Sequence, residues 1–199
     1  MTKLMLDFGG VVIRTPFEMV HKLDPVPGWY GPFDPEADEL WQAMQRGEIT
    51  ERDYWLGCAR EYFAGDDPLR DLFRTLLDYP EEEVVRPEMA RFLATVEKPG
   101  VITNDLSRFH PPDWIQAITI TAIFDPLIDL SHAEFLKPDP RAFEYALAEL
   151  ALPADEVLFV DDQPFNLRGA EAVGMQTEWF DVTDVDGSIV RIKKAMDDG

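Results

Sequence analysis

Cysteine, histidine and long apolar runs are scarce in this chain. It has one cysteine, Cys58, and three histidines among 199 residues. A single cysteine excludes an internal disulfide and suits a reducing compartment. No run of about eighteen apolar residues is present, so we expect no membrane-spanning helix. The N-terminus also lacks the basic and then apolar stretches of a signal peptide, and we therefore expect a cytoplasmic protein.

Basic residues are also few. The chain has 18 Lys and Arg residues against 39 Asp and Glu residues, a formal net charge of −21. A surface with this charge repels nucleic acid and anionic lipid, so we expect neither a nucleic-acid nor a membrane partner. It also repels phosphorylated molecules at long range, so a phosphate site would need local positive charge. The length fits one domain, or one domain with an insertion, and no oligomeric state is indicated.

Short apolar segments alternate with helical segments at the start and in the second half of the chain. The predicted strands lie at residues 3–7, 100–105, 126–131, 156–162 and 176–180. The predicted helices between them lie at 87–96, 139–152 and 166–175. Apolar strands that alternate with helices are typical of a parallel sheet covered on both faces. We therefore predict an α/β fold built on a doubly wound parallel sheet.

Residues 15–88 differ from the rest of the chain in composition and hydrophobic pattern. They contain several prolines and show helical periodicity, but they have no strand-like run. Three helices are predicted there, within 34–47, 49–63 and 66–79. Thr50 with Asp53 three residues later resembles a capping box, and Pro68 stands at the first position of the third helix. We predict a core formed by residues 1–14 and 89–199, with a helical insertion at 15–88.

Polar or charged residues follow four of the predicted strands. In an open parallel sheet, the carboxyl ends of the strands line the binding crevice. The residues at these positions are Asp7, Thr103 with Asn104, Lys137, and Asp161 with Asp162. Each comes where an apolar strand ends, and four such strands in one sheet make an accident improbable.

These residue types fit a cation and a phosphate group. Carboxylates of Asp7, Asp161 and Asp162 in one crevice cannot all stay ionised without a counter-charge. A hard divalent cation with oxygen ligands meets that need, and Mg²⁺ suits a site with few protein carboxylates. With Lys137 added, the formal charges of the three carboxylates, Mg²⁺ and the lysine sum to zero, so the site can accept a phosphate dianion. Asp7 could attack phosphorus, while Thr103 and the backbone amides after it could donate to phosphate oxygens.

Each residue also has an ordinary structural explanation when it is taken alone. Asp7 could cap a turn before Gly9, Lys137 could be a solvated loop lysine, and Thr103 could simply end a strand. The adjacent acids 161 and 162 are harder to explain structurally, since two neighbouring carboxylates gain nothing from burial. The joint occurrence of all four groups therefore favours a functional site.

Four segments together carry a family resemblance. They are "LMLDFGGVV", "VITND", "LKPDPRAFEYAL" and "VLFVDDQPFNLRGAEAVGM". In this order and spacing they resemble the four motifs of the haloacid dehalogenase-like hydrolases, which are mostly phosphatases. The resemblance implies a Rossmann-like core, and the insertion at 15–88 matches the small helical cap of this family, which closes over the site and selects the substrate.

The resemblance also implies roles for individual residues. Asp7 matches the nucleophile, and the two further catalytic positions match Thr103 and Lys137, with Asn104 expected to bind substrate. Mg²⁺ is expected to bind Asp7, the backbone carbonyl of Gly9, and Asp162. Asp161 either binds the cation as well or acts on it from farther away. Asn166 stands where many relatives have a further acid.

Gly9 departs from the family pattern. Phosphatases of this family usually have a second aspartate there, which acts as general acid and base and contributes about 10²–10⁴-fold to the rate. Three explanations stay open: a substrate with a good leaving group, such as a sugar 1-phosphate or an acyl phosphate; a proton from Asp105, His110 or water; or a slow or inactive protein.

We therefore predict a Mg²⁺-dependent phosphatase that acts on a small soluble phosphomonoester through an aspartyl-phosphate, with sugar phosphates as one candidate class. The alternative is a catalytically weak or inactive binding or regulatory protein of the same fold. A dehalogenase is disfavoured because the pair Asp161 and Asp162 suits Mg²⁺, which dehalogenation does not need. Its expected partner is a small phosphorylated metabolite.

Overall fold

A computed structural model describes residues 2–198, and a five-stranded sheet forms its centre. The strands are β1 (Lys3–Leu6), β2 (Gly100–Thr103), β3 (Leu127–Asp129), β4 (Val157–Asp161) and β5 (Gln176–Trp179). Their order in the sheet is β3-β2-β1-β4-β5, and every neighbouring pair is parallel. The predicted α/β fold with a doubly wound, Rossmann-like parallel sheet is confirmed, and a strand lies within each of the five predicted segments.

The strand order places the carboxyl ends of β1 and β4 at the point where the chain changes direction across the sheet. Successive strands run outward from β1 to β3 on one side, and β4 and β5 lie on the other. Leu6, the last residue of β1, pairs with Val101 of β2 and with Val160 of β4, so the carboxyl ends of these three strands lie at the same edge of the sheet. Ligands bind at such a reversal in open α/β sheets, beyond the carboxyl ends.

Both faces of the sheet are buried at its central strands β1, β2 and β4, which explains why these strands are largely apolar, whereas the edge strand β5 is polar and less buried. Successive side chains of a strand point to opposite faces. Leu158 and Val160 contribute to one hydrophobic cluster, and Val157 and Phe159 contribute to the other. The polar residues that end these strands therefore stand out against an apolar background.

Helices surround the sheet and fill the segment between its first two strands. They are α1 (Glu39–Gln45), α2 (Glu51–Arg60), α3 (Pro68–Leu77), α4 (Glu81–Val84), α5 (Pro87–Leu93), α6 (Leu106–Phe109), α7 (Pro112–Ala117), α8 (Pro140–Leu150), α9 (Pro164–Glu171) and α10 (Val185–Asp198). Short 3₁₀ helices lie at Pro16–Lys22, Gly31–Phe33, Pro35–Ala37, Thr119–Ile123 and Ala154–Glu156. No helix among residues 2–198 combines the length and hydropathy that a bilayer crossing requires.

The helical insertion has an aromatic centre of its own. Phe17 packs against Trp41, Tyr54 and Trp55, with ring centroids 4.7–5.9 Å apart. The Tyr54 hydroxyl donates to the carboxylate of Asp38 at 2.7 Å, and that carboxylate also caps α1 by accepting from the Trp41 amide. The division of the chain into core and cap at these boundaries stays a prediction.

The chain leaves and re-enters the core at the same place. The Arg14 amide donates to the Val84 carbonyl at 2.8 Å, and the Arg86 amide donates to the Val12 carbonyl at 3.0 Å. The buried Arg86 guanidinium also donates to both carboxylate oxygens of Glu18, at 2.8 and 2.6 Å. These contacts fix both ends of the insertion beside the first strand and hold α2 and α3 near the carboxyl edge of the sheet.

The C-terminal helix α10 was not predicted from the sequence. Its apolar residues Ile189 and Ile192 are buried, and α10 packs against α5 and the last two strands. Gly187 and the polar residues around it interrupt the helical pattern near its start. The helical periodicity of α10 is therefore weak, and the helix is stabilised mainly by packing against the core.

Candidate active site

The strand-end residues that the sequence singled out meet at one edge of the sheet. One carboxylate oxygen from each of Asp7, Asp161 and Asp162 lies within 4.8 Å of the other two. The Lys137 Nζ lies 2.9 Å from Asp7 Oδ1 and 2.8 Å from Asp161 Oδ2. Three acids and one lysine from distant parts of the chain thus form a single charged cluster.

Lys137 is held in place through its backbone as well as its side chain. Its amide donates to Asn104 Oδ1 at 2.8 Å, and Asn104 Nδ2 donates to the Lys137 carbonyl at 3.0 Å. Burial lowers the pKa of Lys137, but the charges of Asp161 and Asp7 outweigh it, so the net pKa is raised and the side chain is a cation. The Asn104 side-chain amide therefore positions Lys137. The predicted role of Asn104 in substrate binding stays a prediction.

Asp161 has hydrogen-bond donors on both carboxylate oxygens. Its Oδ1 accepts from the Gln163 amide at 2.8 Å, and its Oδ2 accepts from Lys137 at 2.8 Å. The Asn166 side-chain amide donates to both oxygens at 3.1 Å. Both oxygens of this fully buried carboxylate are therefore hydrogen-bonded within the protein, and the carboxylate holds Lys137 in position.

Asp162 is more open than its neighbour. Its Oδ2 accepts from Gln163 Nε2 at 2.9 Å, whereas its Oδ1 has no hydrogen-bond partner among residues 2–198. Burial, followed by the charges of Asp161 and Asp7, raises its pKa well above the ordinary value. Gly10 leaves room for this carboxylate, because a Cβ there would lie 2.7–2.8 Å from it, and Gly10 has a φ of 77°.

Asp7 presents one free oxygen to the cavity beside it. Its Oδ1 accepts from the Phe8 amide at 2.6 Å and contacts Lys137, and its Oδ2 has no hydrogen bond among residues 2–198. Burial raises the pKa of Asp7 to about 7, against the opposing charge of Lys137. Three carboxylates with this burial and spacing suit a hard divalent cation, and the free Oδ1 of Asp162 could bind it directly.

A cavity of about 690 Å³ opens from this cluster toward the helical insertion. Gly9 and Thr103 line it next to Asp7. A Cβ on Gly9 would meet no atom within 4 Å, so the absent side chain leaves open space beside Asp7. The buried Thr103 hydroxyl has no hydrogen-bond partner within the described part of the chain, and it is free to donate to a ligand.

Glu51 joins the site from the helical insertion, and sequence reasoning missed it. It is the first residue of α2 and lies one turn before Trp55, so both side chains share the helix face that lines the cavity. No hydrogen bond or ion pair within residues 2–198 engages its carboxylate. Burial, then the charges of Asp7 and Asp161, raises the pKa of Glu51 to about 8. An acid in the first turn of a helix is so common that the sequence carried no signal.

The two side chains that the sequence offered as proton donors are engaged elsewhere. Asp105 forms an ion pair with Arg52 of α2. His110 Nδ1 lies 2.5 Å from Asp78 Oδ1, and its ring stacks on Trp114 with centroids 4.1 Å apart. Both line the cavity, yet Glu51 has the carboxyl group that is free of such partners.

Comparison with known proteins identifies relatives whose names describe two activities, dehalogenation and phosphate hydrolysis. The family model described as haloacid dehalogenase-like hydrolase matches residues 26–174. (S)-2-haloacid dehalogenase 1 of Pseudomonas sp. (strain CBS-3) is 29% identical over 158 residues, covering 71% of this chain and 69% of the relative. Sesquiterpene phosphatase astK of Aspergillus oryzae is 25% identical over 142 residues, covering 69% and 70%.

A further relative is much longer than this chain. Drimenol cyclase drtB of Aspergillus calidoustus is 25% identical over 152 residues, which cover 73% of this chain but 28% of the relative. Among solved structures, L-2-haloacid dehalogenase RSc1362 superposes with a TM-score of 0.64 at 18% identity, covering 90% of this chain and 86% of that one. This structural likeness supports the fold alone.

Proposed function

The chain belongs to the haloacid dehalogenase-like hydrolases, and we propose that it is a Mg²⁺-dependent phosphatase that hydrolyses a phosphomonoester through Asp7. The observation that carries this proposal is the charge of the cluster at the strand ends. Three carboxylates lie within 4.8 Å of one another, and two of them, Asp7 and Asp161, contact one buried lysine, which matches a divalent cation together with a phosphate dianion.

In this proposal Asp7 is both the nucleophile and a cation ligand, and the other residues bind either the phosphate or the cation. The free Oδ2 of Asp7 attacks phosphorus, and the bond from phosphorus to the leaving alcohol oxygen breaks. Lys137 and the Thr103 hydroxyl donate to the phosphate oxygens. Asp7, Asp162 and the Gly9 carbonyl would hold Mg²⁺, and bound Mg²⁺ would neutralise charge on the transferring group. Water then attacks the phosphoryl group on Asp7, which releases phosphate and restores the carboxylate.

Glu51 takes the part of the acid that is missing at position 9. Its side chain lines the same cavity as Gly9, beside which a Cβ would meet open space, and its carboxyl group has no competing partner within the described residues. It protonates the leaving alcohol in the first step and accepts a proton from the attacking water in the second. This assignment replaces Asp105 and His110, whose side chains are held by Arg52 and Asp78.

The test is phosphate release from sugar, acyl and alkyl phosphates, each measured with Mg²⁺ and with EDTA. We expect release that depends on Mg²⁺ and is abolished by Asp7→Asn. Background rates on the whole panel, or release that persists in Asp7→Asn, would overturn the proposal. Background rates together with tight binding of Mg²⁺ and fluoroberyllate would instead favour the non-catalytic binding protein.

Dehalogenation is the second candidate, and Gly9 is the observation that favours it. A carboxylate such as Asp7 can displace halide from carbon, and halide leaves without a proton, so the missing acid would cost nothing. One of the matched relatives is named as a 2-haloacid dehalogenase. Halide release from 2-chloropropionate that is unchanged by EDTA would support this candidate and contradict the phosphatase.

A further inference from the structure

The cavity beside Asp7 has a charged end and an apolar wall. At one end lie Asp7, Lys137 and Thr103. Away from them the wall is formed by aliphatic and aromatic side chains of the helical insertion and of α6. These residues are Ile49, Trp55, Leu69, Phe73, Leu77 and Phe109. The volume of about 690 Å³ lies in the range of about 300–1,000 Å³ that is usual for small-molecule sites.

Helix α3 directs a whole apolar face at this cavity. Leu69, Phe73 and Leu77 are spaced four residues apart, so they lie in one row along the helix, and all three line the cavity. A different pair, Leu72 and Leu76, is fully buried in the hydrophobic core. Leu69 and Leu77 also belong to that core, at 4% and 2% exposed, so α3 packs through both apolar rows while the row of Leu69, Phe73 and Leu77 also borders the cavity.

The aromatic part of the wall is fixed by ring contacts that join the insertion to the core. Phe73 of α3 stacks on Phe109 of α6 with centroids 4.5 Å apart and an interplanar angle of 17°. On its other side it contacts Trp55 of α2 edge-on at 5.7 Å. Rings held by their neighbours lose little freedom when a ligand packs against them, which favours binding of apolar groups.

Several polar side chains around the wall are already paired, and Glu51 is the exception that the proposal assigns to proton transfer. Arg52 pairs with Asp105, and Arg46 pairs with Glu48 at 2.6 Å. His110 is held by Asp78. A sugar in this cavity would bring several hydroxyl groups against carbon, and each buried hydroxyl without a partner lowers affinity. A hydrocarbon has no such requirement.

We propose that the phosphate is carried by an apolar alcohol, whose hydrocarbon chain lies along the wall of α2, α3 and α6 while the phosphate faces Asp7 and Lys137. The inference rests on the proposed phosphatase activity and names its substrate class. The apolar wall is continuous with the charged end of the cavity, and this sets the orientation of the substrate. The highly charged cluster cannot accept a hydrocarbon, so the phosphate lies there and the hydrocarbon lies along the wall. Affinity then depends on the length of the hydrocarbon.

The first experiment measures binding, so that it does not depend on turnover. Ethyl, hexyl and decyl phosphonates are titrated calorimetrically into the protein in Mg²⁺, below their micelle concentrations, with glucose 6-phosphate and inorganic phosphate for comparison. Full burial of a methylene group tightens binding about fourfold. We expect hexyl phosphonate to bind at least about tenfold more tightly than ethyl phosphonate, and glucose 6-phosphate to bind no better than ethyl phosphonate.

Two variants test where the hydrocarbon chain of the ligand binds, and a third variant serves as the control. Phe73→Ala removes the central ring of the wall, and Ile49→Asn places an amide in the wall at a half-buried position just before α2. Either is expected to reduce the preference for hexyl over ethyl phosphonate at least about fivefold, with inorganic phosphate binding unchanged. Phe33→Ala alters an exposed aromatic residue outside the cavity and should preserve the preference.

The outcomes separate this inference from the function on which it rests. Phosphonate affinity that does not change with chain length, or a preference that both wall variants leave intact, would overturn the apolar substrate. Chain-length-dependent binding without phosphate release from any alkyl phosphate would leave the apolar site standing and contradict the phosphatase.

Discussion

Replacing Lys137 by methionine tests the charge balance of the site without measuring a reaction. Lys137 Nζ contacts Asp7 and Asp161 at 2.9 and 2.8 Å, and its side chain is 1% exposed. Methionine retains the length and apolar stem of the side chain but removes its charge. Two buried carboxylates then lose their cationic partner, and the third, Asp162, adds to the repulsion.

The expected loss of stability is large. Removing one partner of a buried ion pair typically costs about 3–5 kcal/mol, because the charge that remains is uncompensated. For a chain of this size, 1 kcal/mol corresponds to about 2–4 °C in Tm. We therefore expect the Tm of Lys137→Met to fall by about 6–20 °C at pH 8 in EDTA. Mg²⁺ should recover part of the loss, since it binds the native carboxylates and compensates their charge.

The loss should depend on pH with a definite sign. Burial raises the pKa of Asp7 to about 7, and removing Lys137 takes away the charge that opposes this rise. A carboxyl whose native pKa exceeds its unfolded value of about 3.9 binds more protons in the native state, so stability falls as pH rises through that window. The deficit of Lys137→Met should therefore be greatest at pH 8 and should shrink toward pH 5.

The assay is thermal unfolding at several pH values, in EDTA and in Mg²⁺. Lys194→Met is the matched control, since Lys194 is exposed on α10 and should tolerate the same change. Adding Asp161→Asn to Lys137→Met should restore stability in part, because it removes one unpaired charge. A deficit under about 1 kcal/mol at pH 8 in EDTA, or one that grows toward low pH, would refute this reasoning.

Three further variants test other parts of the site. Glu51→Gln should lower kcat for an alkyl phosphate by about 10²-fold or more and remove the fall in rate above about pH 8, where the carboxyl of Glu51 ionises. It should change kcat/KM for 4-nitrophenyl phosphate, which reports only the first step, less than about threefold, because nitrophenolate leaves unprotonated; losses in kcat/KM that are equal for the two substrates would contradict proton transfer to the leaving alcohol. Gly9→Asp in the Glu51→Gln background should restore alkyl phosphate hydrolysis at least about tenfold, since a Cβ there meets nothing within 4 Å, and an unchanged rate would count against the open space over Gly9. Gly10→Ala should weaken Mg²⁺ binding, measured calorimetrically, and lower stability by about 1–3 kcal/mol, because its Cβ would lie 2.7 Å from Asp162 Cγ at a φ of 77°; native Mg²⁺ affinity would show that Asp162 is not a ligand.

Much of the fold could be predicted from local patterns. The central strands β1, β2 and β4 are almost entirely apolar because both faces of the sheet are buried there, and that pattern is readable residue by residue. Capping signals such as Thr50 with Asp53 marked the start of α2, and the structure has that capping box. Helix α10 escaped prediction because its stability comes from packing that the sequence does not display.

The candidate site was predictable only in part. Acids at strand ends identified Asp7, Asp161 and Asp162 as neighbours, because parallel strands bring their carboxyl ends to one edge. The different surroundings of the two adjacent acids were not predictable. Asp161 is saturated by Lys137, Asn166 and the Gln163 amide, and these donors come from separate segments of the chain.

The sequence by itself determined the sheet, the charged cluster at its edge and the absence of a side chain at Gly9, since each follows from residues close together in the chain or from strand direction alone. Only the tertiary structure decided what lines the cavity beside that glycine. The packing of the helical insertion brings Glu51 and the row Leu69, Phe73 and Leu77 to the cavity. Such contacts depend on how two distant segments pack, which helical periodicity does not specify.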